Sequence, residues 1–450
     1  MIEPDDTIFA LSSAPGRAGI AVVRVSGPEA TRAMETLVQG PGPEPRMARL
    51  RALYRYSDLD ADTPRIDHAL VLWFPGPNSA TGEDVVEFHI HGGRAVVQAV
   101  LDSLECIPGL RPAERGEFTR RAVENGKLDL TRAEALADLI DAETEAQRRQ
   151  ALDQYEGGFL ALCDDWRARL IRLSAWAEAE IDFSDDELDG DLDVGVQAGL
   201  RDIIAEIRAV LDDNRRGEIV REGLRLTVVG PPNAGKSSLL NMLARRDVAI
   251  VSDTPGTTRD VVEVRLDIGG YLVIAADTAG LRDASGTIEA EGVRRALARA
   301  EQSDLILLLL DGSADDPTAG LPATFARDDA AVLTVWNKAD LPWPVERDGL
   351  AISVRTGQGF STLMEVLENR LAFHLGGFAD EGKIVTRQRH RAHLADAAAA
   401  LSRALDGSRE TAELMAEDLR LALRAIGRIT GRVDVEELLD VIFKDFCIGK

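Results

Sequence analysis

Residues 224–244 read Leu224-Arg-Leu-Thr-Val-Val-Gly230-Pro-Pro-Asn233-Ala234-Gly235-Lys236-Ser237-Ser238-Leu-Leu-Asn-Met-Leu-Ala. The apolar run at 224–229 predicts a buried strand, and the segment from Ser238 onward predicts a helix. Between them lies a complete G-x-x-x-x-G-K-[ST] loop. Its glycines let backbone N–H groups wrap phosphates. Lys236 reaches the β/γ oxygens, and Ser237 offers a hydroxyl to Mg²⁺. An eight-residue match arises by accident often enough that the surrounding sequence has to decide.

Four further nucleotide elements follow in order. Ser252-Asp253-Thr254-Pro255-Gly256-Thr257-Thr258 forms a loop after the first helix, whose threonines can close on Mg²⁺ and the γ-phosphate. Asp277-Thr278-Ala279-Gly280 ends the strand predicted at 271–276. Its Asp can hold the metal through water, and the Gly280 N–H can sense the γ-phosphate. Asn337-Lys338-Ala339-Asp340 follows an apolar strand at 331–336. A carboxylate at Asp340 accepts two N–H bonds from guanine N1 and N2. Adenine lacks that donor pair, so the motif selects GTP over ATP. Ser353-Val354-Arg355 follows Leu350–Ile352, and its backbone can meet guanine O6. Five such loops in this order predict a GTPase domain.

Many GTPases place Gln directly after Asp-x-x-Gly to orient the attacking water. Here the position is Leu281, which cannot hydrogen-bond water. Either hydrolysis is poor or another residue does this work. Glu289 is the candidate; the alternative is that it decorates a surface helix, as Glu291 would. Arg259, Arg282 and Arg294 could each serve as an arginine finger or be a solvated charge. Asn233 could offer its side-chain oxygen to a cation, or simply form the turn.

Composition sets outer bounds. A chain of 450 residues allows about three domains. Its 52 basic against 77 acidic residues give a net charge of −25. Overall charge therefore excludes generic nucleic-acid binding; an RNA contact needs a local basic patch or a partner. Cys106, Cys163 and Cys447 are odd in number and far apart, which argues against a disulfide framework. The acidic start Met1–Asp6 lacks a signal-type apolar region, and Leu305–Leu310 is too short to span a membrane. The expectation is a cytoplasmic protein with no membrane attachment.

Residues 1–118 read as α/β, with strands near 19–25, 68–74 and 84–90 and a helix over 95–104. Residues 119–222 switch to helix, with Thr131-Arg-Ala-Glu134 as a capping box. The GTPase domain takes 223–373. In it, Val262, Val264, Leu266 and Ile268 alternate with Glu263, Arg265 and Asp267, and Gly269-Gly270 then predicts a hairpin turn. Helical composition returns over 374–450. One helical domain with the GTPase inserted is the economical reading, because two isolated helical pieces would each struggle to bury an apolar face.

Outside the GTPase motifs, four segments carry a resemblance. They are Asp6-Thr-Ile-Phe9 with Pro15–Gly27, Thr81-Gly-Glu-Asp-Val-Val-Glu87-Phe-His-Ile-His-Gly-Gly93, Gly116-Glu-Phe-Thr-Arg-Arg-Ala-Val-Glu-Asn-Gly-Lys127-Leu-Asp-Leu-Thr131, and the terminal Phe446-Cys-Ile-Gly-Lys450. On these the whole chain resembles the MnmE (TrmE) family of tRNA modification GTPases. The resemblance implies an N-terminal α/β folate-binding and dimerisation domain, a discontinuous helical domain and an inserted Ras-like P-loop GTPase domain. It implies a homodimer that works in a heterotetramer with the FAD-dependent flavoprotein MnmG. Together they would add an aminomethyl or carboxymethylaminomethyl group to C5 of the tRNA wobble uridine. The one-carbon unit would come from 5-formyl-tetrahydrofolate or a related folate.

By motif position the resemblance puts folate at Arg24, Glu87, Lys127 and Lys450. It makes Glu289 the catalytic residue, and Ser237 and Thr258 the Mg²⁺ ligands. It also implies a K⁺ ion between the β- and γ-phosphates, held by Asn233, Ser252, Thr254 and Thr257. Two departures stand out: Arg115 where the family usually carries Pro, and Ala80 in place of a common aromatic. An RNA-binding ribosome-assembly GTPase and a folate-binding, GTP-gated scaffold are the competing readings.

Other features remain open on sequence alone. His89 and His91 share a strand face, which suits zinc or packing at the folate pocket. Asp185–Gly190 looks like a calcium loop, but Val196 stands where the EF-hand needs Glu. Arg387-Gln-Arg389-His-Arg391 could touch tRNA or open a solvated helix. Cys447 lies beside the expected folate site, as a functional or a structural thiol.

Overall fold

The computed structural model describes residues 6–56, 64–182, 190–245, 249–250, 263–277, 303–319, 332–376, 385–406, 412–433, 436–443 and 446–449. The chain divides into two compact units, 1–137 with 427–450, and 138–426.

The first unit is built on a six-stranded sheet. Its strands are β1 (Thr7–Leu11), β2 (Ala18–Ser26), β3 (Arg49–Tyr54), β4 (Arg65–Phe74), β5 (Val85–Gly92) and β6 (Leu110–Pro112), in the order β3-β4-β5-β2-β1-β6. All neighbours are antiparallel except β1 and β6. Val23, Val25, Phe88 and Ile90 point to one face, as the two-residue period of a strand requires. There they pack under helices Ala30–Val38 and Arg94–Glu105, against Met34, Leu37, Val100 and Leu104. Each such side chain contributes about 1.5–3 kcal/mol by leaving water.

Helix Glu117–Glu124 is polar in composition, yet it buries Glu117 and Arg121 along with Phe118. The charges are matched. Arg121 bonds Asp6 (2.5 Å), Glu83 (3.1 Å) and Glu117 (3.0 Å), while Arg111 grips Glu117 with two N–H groups (2.6 and 2.9 Å) and also meets Asp6. This network ties β1, β6, the loop before β5 and the helix together. Burial alone would raise the Asp6 and Glu117 carboxyls, but the two arginines outweigh it and hold both below the usual range.

The next helix, Leu130–Asp141, corrects one expectation. Its N-terminus is capped by Asp129, not by Thr131. Asp129 Oδ1 accepts from the N–H groups of Thr131 (2.9 Å) and Arg132 (3.2 Å) and from the Thr131 hydroxyl. Helix Glu436–Phe443 and Phe446 pack on Leu130 and Ala133. The tail then reaches the sheet: Cys447 O accepts from Gly116 N (3.3 Å), and Gly449, in the left-handed region at φ +94°, leaves no room for a Cβ against Leu11 O.

In the second unit, helix Glu145–Glu156 opens with a true capping box, Thr144 with Gln147. Helices Gly158–Asp182, Gly190–Leu211 and Arg216–Glu222 follow. The sheet has strands β7 (Leu224–Val229), β8 (Glu263–Ile268), β9 (Tyr271–Asp277), β10 (Leu305–Asp311), β11 (Val332–Asn337) and β12 (Leu350–Ala351), in the order β12-β11-β10-β7-β9-β8. It is parallel except for the β8–β9 hairpin turned at Gly269-Gly270. Near-continuous apolar runs in β7 and β10 fit strands covered on both faces. Leu226, Val228, Leu307 and Leu309 pack with Leu239 and Leu243 of helix Lys236–Ala244 and with Leu363 and Leu367 of helix Phe360–Leu375. Helix Gln388–Asp406 and the start of helix Ala412–Thr430 complete the unit.

The Arg387–Arg391 segment is neither a free basic patch nor a solvated helix start. Arg387 pairs with Asp138 (2.8 Å), and Arg391 pairs with Asp213 (2.5 Å) and Glu218 (2.9 Å) and donates to Leu211 O (2.6 Å). Two of its three arginines therefore serve internal packing.

Candidate nucleotide and folate sites

Strand β7 delivers the chain to Gly230 at the carboxyl end of the sheet, where parallel α/β folds bind ligands. A Cβ at Gly230 would collide with Leu309 O, and one at Gly235 (φ +103°) with the Asn337 side chain. The loop thus lies closer to β10 and β11 than any side chain would allow. Helix Lys236–Ala244 begins at once, so its N-terminal N–H groups and positive dipole end lie at the same end of the sheet. Ser237 and Ser238 are exposed in its first turn. Lys236 Nζ is folded back onto the carbonyls of Gly230 and Pro231, at 2.8 Å each. Asn233 has a left-handed backbone (φ +64°), as a turn-forming Asn does, and its exposed side chain lines the cleft.

The base motif and the phosphate loop are joined by one side chain. Asn337 is 3% exposed. Its Nδ2 donates to Ala234 O (2.7 Å), and its Oδ1 accepts from Val354 N (3.1 Å). It therefore fixes Ala234, its own loop and the Ser353–Arg355 loop against one another. Lys338 has a left-handed backbone (φ +65°) held at two points. Its Nζ meets Asp311 Oδ2 (2.5 Å), and its carbonyl accepts from Trp343 Nε1 (3.1 Å). Burial would raise the Asp311 carboxyl, but bonds from Lys338 and Ser313 hold it below the usual range. Asp340 Oδ1 accepts from the Ser353 hydroxyl (2.5 Å) and Oδ2 from Arg355 Nε (2.9 Å), with Arg355 Nη2 ion-paired to Oδ2 at 2.6 Å. The Ser353 bond, with Arg355 adding to it, depresses the Asp340 carboxyl and keeps it an anion at neutral pH. Ala339 N bonds Ile352 O (2.9 Å), which places the two loops side by side.

These elements enclose a cleft of about 850 Å³, lined by Asn233, Gly235, Ser238, Asn337, Lys338, Asp340, Val354 and Arg355 together with Met242 and Arg245. The glycine cradle and the donor-rich helix start fit a phosphate chain, and the ionised Asp340 fits a base with adjacent N–H donors. Asp277 ends β9 in register with Val228 of β7. Ser252, Asp253, Thr254, Pro255, Gly256, Thr257, Thr258, Thr278, Ala279, Gly280 and Glu289 lie outside the described residues. Sequence reading missed Asp311 and Trp343; an acid followed by Gly312 at a strand end was the available signal for the first.

In the first unit, Arg24 and Glu87 are cross-strand partners of β2 and β5. Glu87 Oε1 accepts from Arg24 Nε (3.1 Å) and Nη2 (2.9 Å), His89 Nε2 lies 3.2 Å from Oε2, and the Arg24 guanidinium sits 5.7 Å from the Phe118 ring centre. Lys127 is exposed beside Gly82. Lys450 lies outside the described residues. His91 Nδ1 pairs with Asp67 (2.7 Å), and among the described residues no group of three His, Cys, Asp or Glu is arranged to hold a metal. A half-buried charged pair beside an aromatic ring fits a flat polar heterocycle such as a pterin.

Comparison with known proteins bears on the whole chain. The family model described as "GTP-binding protein TrmE N-terminus" matches residues 7–127, and "MnmE helical domain" matches 130–447, on both sides of the nucleotide cleft. A protein named tRNA modification GTPase MnmE from Parvibaculum lavamentivorans is 56% identical, covering 99% of this chain and 100% of its own. This chain belongs to the MnmE family. A second MnmE, from Rhodospirillum rubrum, is 54% identical with 99% of both chains covered. Segments 7–127 and 130–447 of this chain are thus an MnmE N-terminal domain and an MnmE helical domain into which the P-loop GTPase sheet is inserted. The G domain of the T. maritima FeoB iron transporter matches 34% of this chain and 98% of its own at 22% identity and a TM-score of 0.26, a likeness too weak to bear on function. Among the described residues no helix is long and apolar enough to cross a membrane.

Proposed function

We propose that this chain hydrolyses GTP in a K⁺-dependent manner and uses the cycle to modify tRNA. In this reading it works as a homodimer with the flavoprotein MnmG, and adds an aminomethyl or carboxymethylaminomethyl group to C5 of the wobble uridine from a tetrahydrofolate one-carbon unit. The observation that carries the GTP reading is Asn337, which gathers the phosphate loop, the base motif and the Ser353–Arg355 loop around one cleft. Ser237 and Thr258 would hold Mg²⁺, and Asn233, Ser252, Thr254 and Thr257 would hold K⁺. The two cations would neutralise charge that develops on the phosphates. Leu281 leaves no side chain beside Asp-x-x-Gly to orient water, and Glu289 takes that role. Arg24, Glu87, Lys127 and Lys450 would hold the folate; the Arg24–Glu87 pair and the return of the tail to Leu11 support that grouping.

The test is GTP turnover by the purified chain in K⁺ against Na⁺ at equal ionic strength. Strong preference for K⁺ is expected, and equal rates would remove Asn233 from the cation site. Binding of 5-formyl-tetrahydrofolate separates this reading from a ribosome-assembly GTPase. Turnover of tRNA with the flavoprotein separates it from a GTP-gated scaffold.

A further inference from the structure

Asp340 is the carboxylate that reads the base, and both of its oxygens are already engaged. A carboxylate offers about four lone-pair sites, two on each oxygen. The Ser353 hydroxyl takes one on Oδ1 at 2.5 Å, and Arg355 Nε takes one on Oδ2 (2.9 Å) while its Nη2 is held against the same oxygen as an ion pair (2.6 Å). Guanine needs one position on each oxygen, for N1–H and for N2–H. Oδ1 has one to spare; Oδ2 is covered by the guanidinium. We infer that Arg355 is a displaceable plug in the base site: its guanidinium stands in for the guanine donors and must swing away before the base is read.

The two partners differ in how easily they can let go. The Arg355 side chain is 75% exposed, so water takes over its N–H groups when it leaves. Ser353 is buried, and its hydroxyl also accepts from Thr356 N (3.2 Å), so it stays and orients Asp340 throughout. Arg355 belongs to the lining of the cleft and needs only a side-chain rotation to clear it. The plug therefore sets affinity and base specificity, while Ser353 sets geometry. A purely supporting Arg355 would give the opposite sign on removal, because losing a support weakens binding and losing a competitor strengthens it.

This inference rests on the guanine-reading role of Asp340. The experiment is calorimetric binding of GDP and ADP to the full chain and to its Arg355→Ala and Arg355→Gln variants, with xanthosine diphosphate binding to Asp340→Asn as the control. Removing an exposed ion pair should tighten GDP binding about two- to fivefold. ADP binding should be unchanged, and Gln, whose neutral amide competes less well than a guanidinium, should fall between Ala and Arg. If both variants bind GDP equally or more weakly than the wild type, the plug is wrong while the guanine reading stands. If the wild type does not prefer GDP over ADP and Asp340→Asn gains no xanthosine diphosphate binding, the guanine reading itself fails and the plug falls with it.

Discussion

Replacing Asn337 by Ala tests whether one amide holds the nucleotide site together. The substitution removes both bonds of a side chain that is 3% exposed. Ala234 is wholly buried, so its carbonyl is left without that partner at about 1–3 kcal/mol. Val354 is half-buried at the cleft, so its N–H recovers water in part and adds up to about 1 kcal/mol. The total is roughly 1–4 kcal/mol, divided between folding stability and nucleotide affinity. If all of it fell on affinity, GDP binding would weaken about 5- to 900-fold. Both shares are measured on one sample, GDP affinity by calorimetry and stability by denaturant unfolding. Asn337→Asp adds a check on sign. It still accepts from Val354 N but turns an acceptor toward Ala234 O, so it must be at least as damaging as Ala. A summed loss below about 1 kcal/mol for Ala, or a near-wild-type Asp variant, would refute the brace.

Glu117→Gln should destabilise the first unit by about 3–5 kcal/mol, because it leaves Arg111 and the 5%-exposed Arg121 short of their shared anion. The same network predicts acid sensitivity. The Asp6 and Glu117 carboxyls are depressed on folding, so their stabilisation is complete above the unfolded-state pKa near about 4 and is lost as pH falls through the lower folded values. Unfolding followed by circular dichroism from pH 6 downward should be less pH-dependent in the Gln variant. Arg24→Ala should abolish binding of 5-formyl-tetrahydrofolate and leave GTP hydrolysis unchanged; retained folate binding in a titration would move the site elsewhere. Asp138→Asn should weaken two half-buried ion pairs at once, with Arg221 and Arg387, and lower the thermal midpoint of the second unit by several degrees in a scan. An unchanged midpoint would mean that water carries those arginines.

What the sequence revealed followed from local rules. The phosphate loop is legible because strand, loop and helix each have their own signal within 21 residues. The β8–β9 hairpin is legible because Val264, Leu266 and Ile268 alternate up to a Gly-Gly turn. What stayed hidden depends on partners far along the chain. Helix Glu117–Glu124 looks like a surface helix, and only Asp6, Glu83 and Arg111 explain its buried charges. Asp129 was passed over for Thr131 because the Thr-x-x-Glu spacing matches a capping box equally well, and only the backbone geometry decides. The short β6 has three residues and no period to read; it pairs with β1, about a hundred residues earlier. Asn337 was legible as part of a motif, but its link to Ala234 spans a loop-to-loop contact that no spacing rule encodes.

An inserted domain has two chain crossings, and here both are clamped to the same acidic positions. The incoming crossing, just before β7, is held by Arg221 on Asp138, by Arg215 on Glu218 and by Gln147 Nε2 on Arg221 O (2.9 Å). The outgoing crossing is held by Arg387 on Asp138 and Arg391 on Glu218. Each carboxylate thus bridges an arginine from either side of the insertion. A third tie reaches past the crossings: Ala146 N donates to Gly270 O (3.0 Å), and Glu143 pairs with Arg265 (3.0 Å). Those two partners sit on the β8–β9 hairpin, whose far end is Asp277 of the nucleotide motif. Gln147 belongs to the capping box that starts helix Glu145–Glu156, so one helix N-terminus is fastened both to the entry of β7 and to the hairpin turn. The N-terminus of the helix that Thr144 caps is thus one point where the β8–β9 hairpin is tied to helical structure.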